Sequence, residues 1–176
     1  MAHIIRIALM FLLIGCGSKS TTGEAEAAPK AEVGNVAPDF TLESLAGKKI
    51  VLSELRGKVV LLDFWATWCP PCRYSTPIMV RLNEKMKGKD FALIAVSMDD
   101  SLDPVIQYVK HDKVQHTVAH DATGNVAYRY RVGSLPTFMI VDKEGIIRRK
   151  YIGLSQSMEH EMEREIMSLM EKKSKP

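Results

Sequence analysis

Two cysteines separated by two residues, Cys69 and Cys72, are the side chains of this chain best suited to do chemistry. An apolar run over 59–62 precedes them, and a helical pattern follows them. Two thiols at this spacing can close into a small disulfide ring and open it again. The partial positive charge of a helix N-terminus favours a thiolate on the first cysteine, and the thiolate is the species that attacks disulfides. The pattern therefore predicts a redox centre.

A Cys-x-x-Cys pair is also half of a structural zinc site, which usually takes four ligands. The remaining cysteine, Cys16, lies far away in a different kind of segment, and the histidines that follow the pair are scattered. An inert structural disulfide is the other alternative, but such a bond does not need the flanking Trp65 and Trp68. We therefore expect neither a bound metal nor another cofactor.

Length and composition are those of one globular domain, with 176 residues, 46% of them apolar and 26% charged. The formal net charge of +3 is small, and the sequence shows no basic patch with interleaved aromatic residues. These features argue against nucleic-acid binding and against electrostatic binding to a membrane surface.

The N-terminus predicts a lipoprotein-type signal peptide over residues 1–15. Its apolar stretch, Ile7 to Ile14, is too short for a membrane span, which needs about 20 residues, but it suits a signal-peptide core. The run Leu13-Ile14-Gly15-Cys16 resembles a bacterial lipobox, in which the cysteine carries lipid. The alternative is an ordinary signal peptide with an incidental cysteine. Lipid on Cys16 would leave only the Cys-x-x-Cys thiols in an oxidising compartment.

Residues 16–36 are predicted to form the lipidated cysteine and a flexible linker, and residues 37–176 the folded domain. The linker is rich in Ser, Thr, Ala, Glu, Lys and Gly, so it buries too little apolar surface to order itself. About twenty such residues would give a reach of roughly 25 Å between a membrane and the domain.

Apolar patterning then divides the domain into strands and helices. The run from Val59 to Phe64 is apolar throughout except at Asp63, which predicts a central strand buried on both faces. Further strands are predicted at 40–42, 50–52, 91–97, 117–119, 137–141 and 146–152, and helices at 70–86, 102–110, 125–130 and 155–170. Their buried faces would carry Ile78, Leu82 and Met86 in the first long helix, and Met158, Met162, Ile166 and Leu169 in the last. The fold class is therefore α/β, with a central mixed β-sheet and helices on both faces.

Two motifs carry a resemblance to a known family. The run from Asp63 to Cys72 looks like the active-site segment of thioredoxins, and Gly133-Ser134-Leu135-Pro136-Thr137 looks like their second signature. With the segments at 37–58 and 91–145, they resemble the TlpA/ResA branch of membrane-anchored thiol–disulfide oxidoreductases over about 36–153. This resemblance implies a thioredoxin-like fold and an enzyme that exchanges disulfides with protein substrates outside the cytoplasm. For a reductase outside the cytoplasm, we expect a membrane thiol-transfer protein as reductant.

The chemistry assigns different tasks to the two thiols. Cys69, at the helix start, is expected to attack a substrate disulfide, and Cys72, one turn deeper, to resolve the mixed disulfide. Asp63 breaks an apolar strand, and a buried carboxylate tends to take up a proton. In thioredoxins an aspartate at this place exchanges a proton with the second thiol, whereas many members of the anchored branch have asparagine. The alternative for Asp63 is a hydrogen-bonded carboxylate at the strand end.

Four residues are expected to bind substrate. Trp68 and Pro70 flank the first cysteine, and the resemblance implies that Pro136 follows a cis peptide bond beside the cysteines. It also implies that the backbone of Leu135 hydrogen-bonds to an extended substrate segment. Pro70 departs from the glycine of cytosolic thioredoxin and from the glutamate of ResA-like members, so their redox potentials do not transfer directly.

Two rival functions fit the same fold. Copper chaperones on this fold use Cys-x-x-x-Cys with a distal histidine, for which His120 is the candidate, although the spacing here is one residue shorter. Peroxiredoxin-type peroxidases share the early Pro-Asp-Phe segment. They need a threonine three residues before the cysteine, whereas Thr67 is only two residues before Cys69.

Overall fold

The computed structural model of this protein describes residues 31–172. Seven strands, four α-helices and a 3-10 turn at Leu52–Leu55 make up this part of the chain. The strands are β1 (Thr41–Glu43), β2 (Lys49–Val51), β3 (Val59–Trp65), β4 (Phe91–Ser97), β5 (Thr117–His120), β6 (Thr137–Val141) and β7 (Ile147–Ile152). The helices are α1 (Pro70–Lys85), α2 (Leu102–His111), α3 (Asn125–Arg129) and α4 (Met158–Glu171).

The main sheet has five strands in the order β5-β4-β3-β6-β7, and β3 lies at its centre. β3 runs parallel to β4 and antiparallel to β6, so the sheet is mixed, as predicted. All seven residues of β3 are buried, because helices cover both faces of a central strand. β1 and β2 form a separate antiparallel pair, which touches the free edge of β5 through a bridge from Ser44 to Ala119.

Alternate residues of β3 supply two cores, one on each face of the sheet. Leu61 and Trp65 point into the core that contains both active-site cysteines and the buried faces of α1 and α4. Leu62 and Phe64 point into the opposite core, where the Phe64 ring packs on Tyr130 at 5.4 Å between centroids. This alternation decides which side chains of β3 share a face with the cysteines.

α1 begins directly after Cys69 and continues through Pro77. Pro70 and Pro71 occupy its first two positions, where a helix amide has no intrahelical partner and proline costs little. Its buried apolar face differs from the prediction, because Met79 is fully buried whereas Ile78 is only partly buried. The prediction followed a strict spacing of four from Ile78, but the buried face follows Cys72 and Ser75 in steps of three and four.

α4 buries its predicted apolar stripe completely, with Met158, Met162, Ile166 and Leu169 in the cysteine-side core. The helix starts at Met158 rather than at the predicted Ser155. Residues 155–157 are polar and form a turn, so the first side chain of the segment that reaches the core is also the first helical one.

Residues 31–36 are ordered in the structure, so the prediction that the flexible linker extends to residue 36 is wrong for this segment. Ala31 is buried at 1% exposure, and Val36 forms a β-bridge with Ile146. The amide of Gly34 also donates to the carbonyl of Ile147 at 2.8 Å. Backbone pairing with the start of β7 therefore orders a segment whose composition alone predicted no structure.

The predicted signal peptide, Cys16 and the rest of the linker lie outside the described residues. Within residues 31–172, no helix combines the length and apolarity that crossing a membrane requires.

Candidate active site

Cys69 and Cys72 are joined by a disulfide, with their Cα atoms 5.3 Å apart. Cys69 is the N-cap residue of α1, and its sulfur accepts a hydrogen bond from the amide of Cys72 at 3.3 Å. In this disulfide form Cys69 is 3% exposed and Cys72 is 1% exposed. Of the two cysteines, only Cys69 lines an open groove, so their surroundings differ.

A groove of about 470 Å³ runs past Cys69. Its walls come from three loops that meet at one end of the sheet. The groove is lined by Trp68, Cys69, Pro70, Pro71, Met98, Val132, Gly133, Ser134 and Leu135, all of them uncharged. Trp68 is its most prominent wall, with 64% of its surface exposed.

The structure brings three of the four predicted substrate-binding residues, Trp68, Pro70 and Leu135, to this groove. Pro136 is buried directly behind it, and the Leu135–Pro136 peptide bond is cis, as the resemblance implied. Within residues 31–172, neither the amide nor the carbonyl of Leu135 has a hydrogen-bond partner. An extended peptide in the groove could therefore pair with both groups.

Asp63 lies in β3 on the face that holds the cysteines. It is 4% exposed, and its register partners Ala95 and Phe138 belong to the same core as Cys72. Its Oδ1 atom has no hydrogen-bond partner among the described residues. Burial raises the pKa of this carboxyl from 3.8 to about 7, because desolvation disfavours the charged form. Asp63 can therefore gain or lose a proton near neutral pH.

Trp65 is a core residue rather than part of the groove. It is 4% exposed, and its ring lies 5.2 Å from that of Tyr108 on α2. The Tyr108 hydroxyl donates to Thr76 Oγ1 at 3.0 Å. The Thr76 hydroxyl in turn donates to the carbonyl of Cys72 at 3.1 Å. Tyr108 therefore supports the first turns of α1 from the side of α2.

The end of β4 supplies residues that our sequence analysis missed. Met98 lines the groove, and its amide donates to the carbonyl of Trp65 at 2.8 Å. Asp99 is buried at 3% exposure and accepts hydrogen bonds from Thr67, the residue two before Cys69. The signal that could have identified them is topological, because the carboxyl ends of neighbouring parallel strands meet at one edge of a sheet.

His120, the candidate copper ligand, ends β5 with its Nε2 atom 2.7 Å from the carbonyl oxygen of Asp99. A carbonyl oxygen accepts, so Nε2 carries the proton in this contact and is not the nitrogen that would ligate a metal, whereas Nδ1 is not engaged by it. Among residues 31–172, no group of three or more His, Cys, Asp or Glu side chains is arranged to hold a metal ion.

Comparison with known proteins agrees with this geometry. Residues 33–150 match the model of the AhpC/TSA family. The thiol-disulfide oxidoreductase ResA of a Bacillus cereus strain is 38% identical over 148 residues, covering 82% of this chain and 86% of that protein. The ResA of Bacillus subtilis (strain 168) is 34% identical over 160 residues, covering 89% of each chain. The chain belongs to the ResA-like thiol–disulfide oxidoreductases of the AhpC/TSA family.

Solved structures show the same fold. A proposed thiol:disulfide interchange protein DsbE from Chlorobium tepidum superposes with a TM-score of 0.75 at 33% identity, covering 79% of this chain and 98% of that one. A proposed protein disulfide isomerase from Bacteroides thetaiotaomicron gives a TM-score of 0.76 at 29% identity, covering 82% and 94%. The fold is thioredoxin-like, and the chain is a thiol–disulfide oxidoreductase.

Proposed function

We propose that this oxidoreductase reduces disulfides in protein substrates outside the cytoplasm, using the Cys69-Pro70-Pro71-Cys72 dithiol. One observation carries the proposal: Cys69, which caps the helix, lines an open, uncharged groove, whereas Cys72 does not line it. A polypeptide in the groove would meet one sulfur only. This asymmetry supports an attacking thiol and a resolving thiol rather than an inert bond.

Reduction would proceed in two exchanges. The Cys69 thiolate attacks one sulfur of the substrate disulfide, forms a mixed disulfide and releases the other substrate sulfur as a thiolate. Cys72 then attacks Cys69, which releases the second substrate thiol and leaves the Cys69–Cys72 disulfide of this structure. The substrate gains two electrons and the enzyme dithiol loses two. Regeneration requires a thiol donor, for which we propose a membrane thiol-transfer protein.

Asp63 is the proposed proton acceptor for Cys72. Its side chain lies on the cysteine face, and its pKa of about 7 is well placed to take the thiol proton and return it near neutral pH. It lacks a hydrogen-bond partner on Oδ1 among the residues described, which leaves that oxygen available for this exchange.

Substrate would bind as an extended segment along the groove. Trp68 and Pro70 provide an apolar contact surface beside Cys69, and Leu135 provides a backbone donor and acceptor. Pro136 would support that backbone from the buried side, since Leu135 lines the same groove as Cys69. Recognition would thus rest on main-chain pairing and apolar contact, because the lining side chains carry no charge.

The proposed location follows from the N-terminal sequence. Residues 1–15 would be removed as a signal peptide, and Cys16 would carry the lipid that anchors the protein to a membrane. The rest of the linker up to residue 30 would connect the anchor to the thioredoxin-like domain, at the periplasmic or outer face of the membrane. An extracytoplasmic position would also expose the protein to disulfide-containing substrates.

Single-cysteine variants test this assignment. Cys69→Ser should lose at least about a thousandfold in the rate of disulfide reduction, because no attacking thiolate remains. Cys72→Ser should still attack, but it should accumulate as a mixed disulfide that mass spectrometry detects after nonreducing gel separation. Native-rate reduction by Cys69→Ser would contradict the proposed roles, as would a mixed disulfide formed equally well through Cys72 alone.

A further inference from the structure

Asp99 has an unusually complete set of hydrogen-bond donors for a buried carboxylate. Its Oδ1 accepts from the Thr67 hydroxyl at 2.5 Å, and its Oδ2 accepts from the Thr67 amide at 3.1 Å. The Ser97 hydroxyl also donates to Oδ2 at 2.8 Å. Both oxygens of the Asp99 side chain are therefore engaged by hydrogen bonds, which fix its orientation.

The backbone of Asp99 is fixed as firmly as its side chain. Its amide donates to Ser97 Oγ at 3.2 Å, and its carbonyl oxygen lies 2.7 Å from His120 Nε2. The preceding amide, of Met98, donates to the carbonyl of Trp65. Two neighbouring strands, β4 and β5, therefore hold the carboxylate in one place against the loop that follows β3.

That loop, residues 66–68, is the only connection between the central strand and the helix that Cys69 caps. The amide of Cys69 turns back to the carbonyl of Ala66 at 3.2 Å. Thr67 lies between these two residues, and both its amide and its hydroxyl bond to Asp99. A shift of Thr67 would thus be passed directly to Cys69.

We propose that Asp99 is a positioning residue for thiol–disulfide exchange, which holds Cys69 at the helix N-cap when the disulfide is open. The inference rests on the proposed role of Cys69 as the attacking thiol. In the disulfide form, the covalent bond to Cys72 keeps the sulfur in place. In the dithiol form, the Asp99–Thr67 hydrogen bonds take over this task, so they stabilise the reduced state more than the oxidised one.

Loss of the Asp99–Thr67 hydrogen bonds should therefore shift the dithiol–disulfide equilibrium in one direction. At the N-cap, the Cys69 sulfur receives the Cys72 amide and the favourable end of the helix dipole, which stabilise its thiolate. Without the Asp99–Thr67 hydrogen bonds, the Cys69 sulfur should leave the N-cap position more often in the dithiol form. The thiol pKa of Cys69 should then rise, and the equilibrium should move toward the disulfide.

Two substitutions of Asp99 distinguish an effect of its hydrogen bonds from an effect of its charge. Asp99→Ala removes all the side-chain acceptors, whereas Asp99→Asn removes the charge but can still bond to Thr67 and Ser97. Equilibration with glutathione and thiol absorbance against pH would be measured for each variant. Asp99→Ala should shift the exchange equilibrium about tenfold toward the disulfide, or about 30 mV for two electrons. Asp99→Asn should stay within about threefold of wild type.

Asp142 offers a matched control at the opposite end of the sheet. It is also buried, at 4% exposure, and it also accepts backbone amides in a turn, from Ile146 at 2.8 Å and Glu144 at 3.1 Å. Asp142→Ala should destabilise the fold without moving the exchange equilibrium or the Cys69 titration. If Asp99→Ala does not fold, Thr67→Val should show a smaller shift in the same direction, with Thr67→Ser close to wild type.

The outcomes are distinguishable. A folded Asp99→Ala protein with the wild-type equilibrium would overturn the inference. So would Asp99→Asn shifting as far as Asp99→Ala, or either variant shifting toward the dithiol, since those results would assign the effect to charge. A wild-type protein that exchanges no disulfides would instead overturn the proposed function.

Discussion

Two buried aspartates, Asp63 in β3 and Asp99 just beyond the end of the neighbouring β4, lie in opposite environments. They are almost equally hidden, at 4% and 3% exposure, and both lie near the cysteines in the fold. Asp63 has an oxygen with no partner among the residues described, whereas Asp99 accepts from Thr67 and Ser97. The two aspartates are therefore buried to the same extent, and they differ in the hydrogen-bond donors around their side chains.

The difference suggests how one fold serves two thiols. Desolvation without donors favours a protonated carboxyl, and Asp63 lies on the cysteine face that includes Cys72. Donors from the Thr67 loop hold the Asp99 side chain in one orientation, and Thr67 is two residues before Cys69. One aspartate is suited to move a proton, and the other is suited to hold a position.

The largest expected effect is on the pH dependence of stability in the disulfide form, where the cysteines do not titrate. Because the pKa of Asp63 is raised from 3.8 to about 7, its stabilising contribution is fully present below pH 4 and is lost as the pH rises toward 7. The contribution of Asp63 should fall by about 4 kcal/mol, at about 1.4 kcal/mol per pKa unit, and this fall is the difference between the wild-type and Asp63→Asn profiles. Urea unfolding of wild type and Asp63→Asn across this range would measure it.

The titration of His116 also changes stability in this pH range, so the wild-type profile must be compared with that of Asp63→Asn. Burial lowers the pKa of the His116 imidazole from 6.5 to about 4, so its contribution has the opposite sign and grows as the pH rises from 4 to 6.5. In the wild type the two contributions oppose each other in this window, whereas in Asp63→Asn only that of His116 remains, so this variant should gain stability relative to wild type as the pH rises. Parallel profiles for the two proteins would show that Asp63 does not titrate as described.

The second effect is on rate. Asp63→Asn should reduce disulfide reduction near pH 7 by about a hundredfold, because general acid–base catalysis typically contributes a factor of this size. The pH–rate profile should also lose its inflection near 7, the pKa of Asp63. Resolution of the mixed disulfide by Cys72, followed by stopped flow, should slow, while attack by Cys69 should not. An unchanged profile would make Asp63 a structural residue only.

The smallest effect concerns the groove, which neither aspartate lines. Trp68→Ala should raise the KM for a protein substrate by about tenfold, the size expected for one aromatic contact at a binding surface. The reduction potential should stay unchanged. Tyr74→Ala is the matched control, because Tyr74 is a more exposed aromatic residue, at 76%, on α1 but outside the groove. If the two substitutions changed KM equally, the groove would not be the substrate-binding surface.

Sequence patterns predicted the fold well where local periodicity and burial agree. β4 and β6 have the predicted bounds, and the Met158–Leu169 stripe of α4 is buried as expected. Composition predicts a linker at residues 31–36, but pairing of this segment with the start of β7 orders it, and composition does not encode that contact.

The candidate site divides in the same way. The cysteines, Asp63 and the proline signature were visible because residue type and spacing mark them. Met98, Val132 and Asp99 were not, since each reaches the site only through the topology that brings three loops together. The absence of a partner for Asp63 Oδ1 within residues 31–172, and the donors around Asp99, likewise depend on contacts between segments that are distant in sequence.

The equilibrium reduction potential of the Cys69–Cys72 pair tests the proposed reductase function most directly. Tryptophan fluorescence in glutathione or dithiothreitol buffers can follow it, because Trp65 lies in the same core as both cysteines and Trp68 precedes Cys69. A reductase that must be supplied with electrons should give a value near about −270 mV, close to thioredoxin. A value near about −120 mV, typical of a strong oxidant, would contradict it.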